Sequence, residues 1–156
     1  MKHLLALALL AAPTLVAAQT STAPDTLKHV MESHTLRVCS PGDYKPFSFM
    51  KEDGKFEGLD VDLMSSLAGA LGAKAEFVKT TWAKLMDDFT SGKCDIGAGG
   101  ISVSLDRQKR AYFSSPYMIN GKTPITLCNN AKNFQTIANI NKPNVRVIVN
   151  PGGSNE

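Results

Sequence analysis

A glycine-rich stretch that leads to a hydroxyl and a guanidinium is the part of this sequence best suited to chemistry. Gly97-Ala98-Gly99-Gly100 is followed by Ser102 and then by Arg107. Glycines at the carboxyl end of a parallel strand let a ligand approach the backbone, and such strand ends are where open α/β sheets bind ligands. Ser102 and Arg107, next to a helix N-terminus, predict a carboxylate site. The alternative is that Arg107 is a solvated surface charge and that the glycines only turn the chain.

The elements that must position this stretch alternate between strands and helices. The first predicted helix begins with Asp60 as its N-cap and stops at Gly72, and the second follows Thr80 or Thr81 and stops at Gly92. Strand, helix, strand in this order is typical of an α/β fold with a parallel sheet. Short apolar runs predict the three strands at 36–39, 75–79 and 94–98.

Further elements are predicted after the glycines. Ser104 is expected to cap a short helix that ends before Ser114. Strands are expected at 124–128 and 145–149, with a helix at 134–140 between them. The helix at 134–140 and the strand at 145–149 cannot bury their apolar faces by themselves. The sequence therefore predicts a truncated reading frame or a fragment.

The first 18 residues have the pattern of a cleavable signal peptide. Lys2 and His3 precede an apolar run over 4–16, and small residues follow it up to Ala18. A membrane-spanning helix is the weaker interpretation, because a span needs about 20 apolar residues. We expect cleavage after Ala18 and a free protein in the periplasm, with residues 19–35 as a lead-in helix or linker.

Charge and histidine content exclude several functions. The formal net charge is +3, and part of it comes from Lys2 in the leader. No Lys/Arg block of the kind that binds nucleic acid is present, so nucleic acid is not an expected partner. His3, His29 and His34 lie in the leader or the lead-in, and there is no Walker-type loop, so neither a metal nor a cofactor is expected.

Three cysteines leave at least one thiol unpaired. They are either small buried hydrophobes or include a reactive thiol. Cys39 would end one strand and Cys94 would begin a parallel one, which implies an axial offset of about 10 Å at about 3.3 Å per residue. Since a disulfide tolerates Cα separations only up to about 7 Å, we predict no bridge between these two residues.

Several segments in order resemble the family 3 periplasmic solute-binding proteins. The resemblance runs from about Leu36 to the last residue, and its motifs are Phe47, 58–63, 92–96, Arg107 and 113–117. It implies a type II periplasmic-binding-protein-like α/β fold, in which two lobes joined by a hinge close on an amino acid or a similar anion. The implied division is lobe 1 at 36–121, a hinge strand at 122–129, and the start of an incomplete lobe 2 at 130–156.

The same resemblance assigns ligand contacts. Arg107 would bind the ligand carboxylate with help from Ser102 and Gly100, and an anion-binding loop of the second lobe would contribute two more residues. Two aromatic residues would form walls, although one of them, Trp82, also begins the apolar stripe of its predicted helix and is equally a core candidate. The aromatic residues are Tyr44 and Trp82, and the loop residues are Ser154 and Asn155.

Three runs, at 42–48, 121–128 and 150–156, resemble more narrowly the cyclohexadienyl dehydratases, which are enzymes built on this binding fold. The resemblance implies loss of water and carbon dioxide from prephenate or arogenate, giving phenylpyruvate or phenylalanine. The reaction needs fixed carboxylates and a positioned acid. In the family this acid is a glutamate of the second lobe, in sequence beyond Glu156, so no catalytic residue is assigned within the chain.

Two other functions remain open. The chain could be the amino-acid-binding component of an ABC transporter, with a permease as partner, because this fold hosts binding more often than catalysis. It could also be a truncated remnant with neither activity. In either case we expect residues 19–156 alone to bind weakly and to turn over no substrate, since half a cleft leaves a ligand open to water.

Overall fold

A computed structural model describes residues 25–155 of the chain. The predicted signal peptide, its cleavage site and Glu156 lie outside the described residues. Within them, none of the helices has the length and apolar character required to cross a lipid bilayer.

A parallel sheet of three strands is the centre of the fold, as predicted. Strand β1 (Thr35–Ser40) lies in the middle, between β5 (Lys74–Lys79) on one side and β6 (Ile96–Gly97) on the other. Val38 is opposite Phe77 of β5 and Ile96 of β6, which fixes the register of all three strands. Because parallel strands share their direction, their carboxyl ends lie at one edge of the sheet, where β6 leads into the glycines.

A small antiparallel meander follows β1 along the chain. Its strands are β2 (Asp43–Tyr44), β3 (Ser48–Met50) and β4 (Phe56–Glu57). The register pairs Tyr44 with Ser48. Ser48 is buried, and its hydroxyl accepts a hydrogen bond from the hydroxyl of Ser40 at the end of β1 (2.9 Å). The meander is therefore tied to the carboxyl edge of the parallel sheet, and it carries Tyr44 there.

Helices cover the sheet: α1 (Thr26–Ser33), α2 (Leu59–Ala70) and α3 (Leu85–Thr90). The predicted N-cap role of Asp60 is wrong, because Gly58 occupies the N-cap position and the carboxylate of Asp60 is turned inward. The predicted stop at Gly72 is confirmed by its left-handed φ of 69°.

The helix predicted after Thr81 begins later than expected. The hydroxyl of Thr81 accepts a hydrogen bond from the backbone N–H of Lys84 (3.3 Å), which closes a turn, and α3 starts only at Leu85. Trp82 therefore lies in the turn before the helix, near the carboxyl edge of the sheet.

Two clusters of buried side chains hold these elements together. The larger cluster packs α1 and α2 against the sheet and contains Val30, Leu36, Val38, Met64, Ala68 and Ala98. The smaller cluster lies under α3 and contains Cys39, Leu85 and Cys94, with Trp82 packed against it. Burying a Val, Leu or Met side chain fully is worth about 1.5–3 kcal/mol, so these clusters fix the helices against the sheet.

Cys39 and Cys94 form a disulfide, and the prediction that they do not is wrong. Their Cα atoms are 5.6 Å apart, within the range that a bridge requires. The prediction assumed that the third strand is extended from Cys94 onward. In the structure the chain bends at Asp95 and β6 begins only at Ile96, so Cys94 lies beside Cys39 instead of upstream along the strand. Cys128 is a free, exposed thiol.

The chain beyond the sheet has little regular structure. Ser104 caps α4 (Leu105–Gln108) as predicted, with its hydroxyl accepting from the N–H of Arg107. The strands predicted at 124–128 and 145–149 are wrong, because the described chain offers no partner strand there and an isolated strand is not stable. The helix predicted at 134–140 is reduced to α5 (Ile137–Ile140), after a 3-10 helix at Cys128–Asn133.

Candidate functional site

The glycine turn after β6 forms the floor of the site. Gly99 and Gly100 have φ angles of 136° and 71°, which side chains rarely adopt. A Cβ at Gly100 would lie 2.7 Å from Cδ1 of Tyr44 and 2.8 Å from Cδ2 of Phe47. Gly100 thus lets two aromatic rings of the protein itself pack directly over the backbone. The predicted approach of a ligand to this backbone stays a prediction.

Asp60 holds this turn from below, and the sequence analysis missed this role. Its Oδ2 accepts hydrogen bonds from the N–H groups of Gly99 and Gly100, both at 2.7 Å. The N–H of Gly100 is therefore engaged by Asp60 and is not free to donate to a ligand. The signal in the sequence was the position of Asp60 among residues with helical apolar spacing, where a solvated acid is not expected.

Arg107 is buried, with 7% of its surface exposed, so the interpretation as a solvated surface charge is wrong. Its Nη1 donates to the carbonyl of Ser102 (3.0 Å) and its Nη2 to the carbonyl of Gly152 (3.4 Å). The guanidinium also lies over the ring of Trp82, with Cζ 5.7 Å from the ring centroid. Burial lowers the pKa of Arg107, but a guanidinium remains charged at neutral pH.

The segment 150–155 lies against Arg107 from the other side. The hydroxyl of Ser154 donates to the hydroxyl of Ser102 (3.2 Å). Gly152 has a φ of 73° and packs so closely on the turn before α3 that a Cβ there would lie 2.5 Å from the backbone N of Ala83. Ser102 and Ser154, far apart in sequence, are thus brought together beside one buried cation.

Aromatic side chains flank the opening. The ring centroids of Tyr44 and Trp82 are 6.1 Å apart in an edge-to-face arrangement. The indole N–H of Trp82 donates to Oδ1 of Asp43 (2.9 Å), which fixes the ring plane. Trp82 also packs against the smaller buried cluster of Cys39, Leu85 and Cys94. Its position therefore agrees both with an aromatic wall of the site and with a core residue.

Two adjoining cavities occupy this edge of the sheet. The smaller, of about 90 Å³, is lined by five of the predicted residues, Tyr44, Trp82, Gly100, Ser154 and Asn155. The larger, of about 350 Å³, includes Ser102 and the segment 113–122, and it has the size of a small-ligand site. Arg107 lines neither cavity and reaches the site through its contacts with Ser102 and the 150–155 segment.

Lys122 lines both cavities and was not among the predicted residues. Its Nζ lies 5.8 Å from the centroid of the Tyr44 ring. Lys122 and the buried Arg107 therefore supply two positive charges near the cavities, while the carboxylates of Asp43 and Asp60 bind the indole of Trp82 and the glycine turn.

The fold and this site define one half of an α/β ligand-binding cleft. The sequence matches the family of bacterial extracellular solute-binding proteins, family 3, over residues 36–151. The chain belongs to that family, as the resemblance of its motifs indicated, and its α/β fold is the partial type II binding fold.

Relatives of known activity fall into two groups. The chain is 50% identical over 150 residues to cyclohexadienyl dehydratase of Pseudomonas aeruginosa, covering 96% of this chain and 54% of the relative. It is 37% identical over 95 residues to the L-cystine-binding protein TcyJ of Escherichia coli K12, covering 61% of this chain and 36% of that protein.

Solved structures give the same two groups. An ancestral cyclohexadienyl dehydratase matches with a TM-score of 0.59 and 52% identity over 83% of this chain and 54% of that one. An ancestral amino acid-binding protein, a precursor of cyclohexadienyl dehydratase, matches with a TM-score of 0.73 and 42% identity over 77% of this chain and 53% of that one. The chain spans about half the length of these relatives.

Proposed function

We propose that this chain supplies the carboxylate-binding half of a cyclohexadienyl dehydratase, which removes water and carbon dioxide from prephenate or arogenate. The observation that carries the proposal is the contact of the segment 150–155 with Arg107 and Ser102. That segment is one of the three runs that resemble the dehydratases. The 50% identity to the Pseudomonas aeruginosa enzyme over nearly the whole chain supports the same function.

Each site residue has a role in this proposal. Arg107 binds a substrate carboxylate, which displaces the neutral carbonyl of Gly152 from Nη2. The hydroxyls of Ser102 and Ser154 donate hydrogen bonds to the same substrate carboxylate. Gly100 lines the cavity that takes the ring, which Tyr44 and Trp82 flank. Asn155 and Lys122 also line the smaller cavity.

The chemistry divides between binding and proton delivery. The carbon–carbon bond to the leaving carboxylate breaks, its electron pair completes the aromatic ring, and the departing hydroxyl takes a proton to leave as water. Residues 25–155 supply the binding part, because they hold a carboxylate of the substrate in a fixed position. The proton donor is not assigned to any described residue, and Glu156, which lies outside them, is not proposed for it.

The location and the division of the chain are also proposals. A family of extracellular proteins fits export, and we propose a signal peptide at 1–18, cleavage after Ala18 and a periplasmic protein. We further propose lobe 1 at 36–121, a hinge segment at 122–129 and the start of a second lobe at 130–156.

A second candidate is an amino-acid-binding component of an ABC transporter, whose partner would be a permease. The likeness to the ancestral amino acid-binding protein, which has a TM-score of 0.73, favours this alternative. The same buried Arg107 would then bind the α-carboxylate of an amino acid without chemistry.

A chimera tests the proposal. Residues 25–155 replace the matching part of the Pseudomonas aeruginosa enzyme, and phenylpyruvate formation from prephenate is measured. We expect turnover, and a loss of kcat/KM of about 100-fold or more in Arg107→Ala, because truncating one partner of a buried charged pair costs about 2–5 kcal/mol. Arg110→Ala is the matched control, since Arg110 pairs with Asp87 on the surface and should change the rate by less than about twofold.

The two candidates give different outcomes. Turnover that collapses in Arg107→Ala but persists in Arg110→Ala supports a dehydratase with the proposed anchor. A folded chimera that forms no phenylpyruvate, together with tight binding of an amino acid, would assign the chain to a transporter's binding protein.

A further inference from the structure

Asp60 is a buried carboxylate whose hydrogen bonds all reach toward the cleft. It is 4% exposed, although it stands in the first turn of α2. Oδ2 accepts from the N–H groups of Gly99 and Gly100, and Oδ1 accepts from the hydroxyl of Tyr117 at 2.6 Å. Hydrogen bonds to a carboxylate are about twice as strong as neutral ones, so three of them fix their donors firmly.

These donors belong to two different walls of the site. Gly99 and Gly100 form the floor and have positive φ angles, which glycine adopts without strain, so their conformation depends on the hydrogen bonds that hold them. Tyr117 belongs to the segment 113–122, which lines the larger cavity together with Gly100. One carboxylate therefore links the floor to a second lining segment.

The protonation state of the Tyr117 phenol agrees with its role as a hydrogen-bond donor to Asp60. Partial burial, with a contribution from the hydrogen bond to Asp60, raises the pKa of the phenol above its ordinary value, although the residue is 53% exposed. The hydroxyl is protonated at neutral pH even at the ordinary pKa of a tyrosine, and it donates to Asp60.

We propose that Asp60 is a positioning residue, which sets the width of the cleft between the Gly99-Gly100 turn and the Tyr117 wall and thereby its fit to a ring-bearing carboxylate. It acts through these neighbours and does not touch the ligand. The ligand class rests on the proposed function, whereas the linkage itself does not.

The test uses residues 19–156 without ligand, followed by nuclear magnetic resonance. Asp60→Asn keeps the size of the side chain but removes its charge, and we expect the amide protons of Gly99 and Gly100 to exchange about tenfold faster. Asp62→Asn is the matched control, because Asp62 lies in the same first turn but is exposed, and it should leave both amides unchanged. Unchanged glycine amides in a folded Asp60→Asn protein, or the same effect from Asp62→Asn, would overturn the proposal.

Tyr117→Phe tests the other end of the linkage and remains decisive if Asp60→Asn does not fold. It keeps the aromatic ring and removes one hydroxyl. We expect backbone order parameters over 113–122 to fall from about 0.85 toward 0.6 while the glycine amides stay protected. Unchanged order in that segment would contradict the proposal.

A prephenate titration of the chimera with the Pseudomonas aeruginosa enzyme separates this proposal from the proposed function. In that chimera Asp60→Asn and Tyr117→Phe should each weaken prephenate binding about tenfold, the effect of one hydrogen bond to a charged group, and Asp62→Asn should not. Absence of prephenate binding by the unsubstituted chimera would count against the dehydratase, whereas the exchange and order measurements would still decide the role of Asp60.

Discussion

Reduction of the bridge between Cys39 and Cys94 is expected to remove a large part of the stability of this chain. The bridge closes a loop with a sequence separation of 55 residues. In the chain-entropy model, closing a loop of that length lowers the entropy of the unfolded chain by about 14 cal/mol/K, which is about 4 kcal/mol at 25 °C. Since small domains have unfolding free energies of about 5–15 kcal/mol, the reduced protein should be only marginally stable.

Urea unfolding of the oxidised and the reduced protein measures this difference. Cys128→Ser provides the background for both forms, because the exposed thiol of Cys128 would otherwise exchange with the bridge. With an m-value of about 2 kcal/mol/M, a loss of about 4 kcal/mol lowers the urea midpoint by roughly 2 M. Thiol titration of the folded wild-type protein should find one reactive group before reduction and three thiols afterwards in denaturant.

Two results would refute the reasoning. Three free thiols in the protein purified under oxidising conditions would mean that the bend at Asp95 does not bring Cys94 to Cys39. A bridge that is present but shifts the midpoint by less than about 0.5 M would mean that the unfolded chain is already constrained without it.

Two further predictions concern the floor of the site and the sheet beside it. Gly100→Ala should lower the free energy of unfolding by about 1–3 kcal/mol more than Gly54→Ala. Both glycines have left-handed φ angles, but only a Cβ at Gly100 would meet another residue, Tyr44. Equal losses of stability in urea unfolding would contradict this prediction. Asp95→Asn should cost about 2 kcal/mol at pH 6, since Arg37 donates to both oxygens of this carboxylate. Burial alone would raise the pKa of Asp95, but the hydrogen bonds of Arg37 outweigh it and lower that pKa. The stabilisation is therefore present above about pH 4 and lost as the pH falls, so the urea midpoints of wild type and variant should converge toward pH 3.

Features with local signals could be predicted from the sequence. The strands around Val38 and Phe77 follow from short apolar runs, and the Ser104 cap follows from a hydroxyl at the start of a helix. The proximity of Gly100, Ser102 and Arg107 was predictable for the same reason, because these residues lie within eight consecutive residues of one loop and helix start.

Features that depend on distant partners could not be predicted in the same way. The bridge of Cys94 depends on a bend at Asp95, which in turn follows from hydrogen bonds with Arg37 on the neighbouring strand. Asp60 has the residue type of an N-cap, but in the folded structure its partners are the distant glycine turn and Tyr117. The run 145–149 is rich in β-branched residues, yet β-propensity forms no strand without a neighbour to pair with.

The contacts of Arg107 also determine what kind of ligand the site can select. Its guanidinium is already buried and hydrogen-bonded to two neutral carbonyls, so a ligand exchanges one hydrogen bond for another instead of adding one. In the proposed function, a neutral ligand oxygen would gain almost nothing over the carbonyl of Gly152, whereas a carboxylate would add the attraction between opposite charges at the buried guanidinium. A preference for a carboxylate would then come from the hydrogen bonds that the arginine already makes as much as from its charge. It follows that the segment 150–155 must move from Nη2 before a ligand binds, which couples carboxylate binding to the position of the loop that carries Ser154.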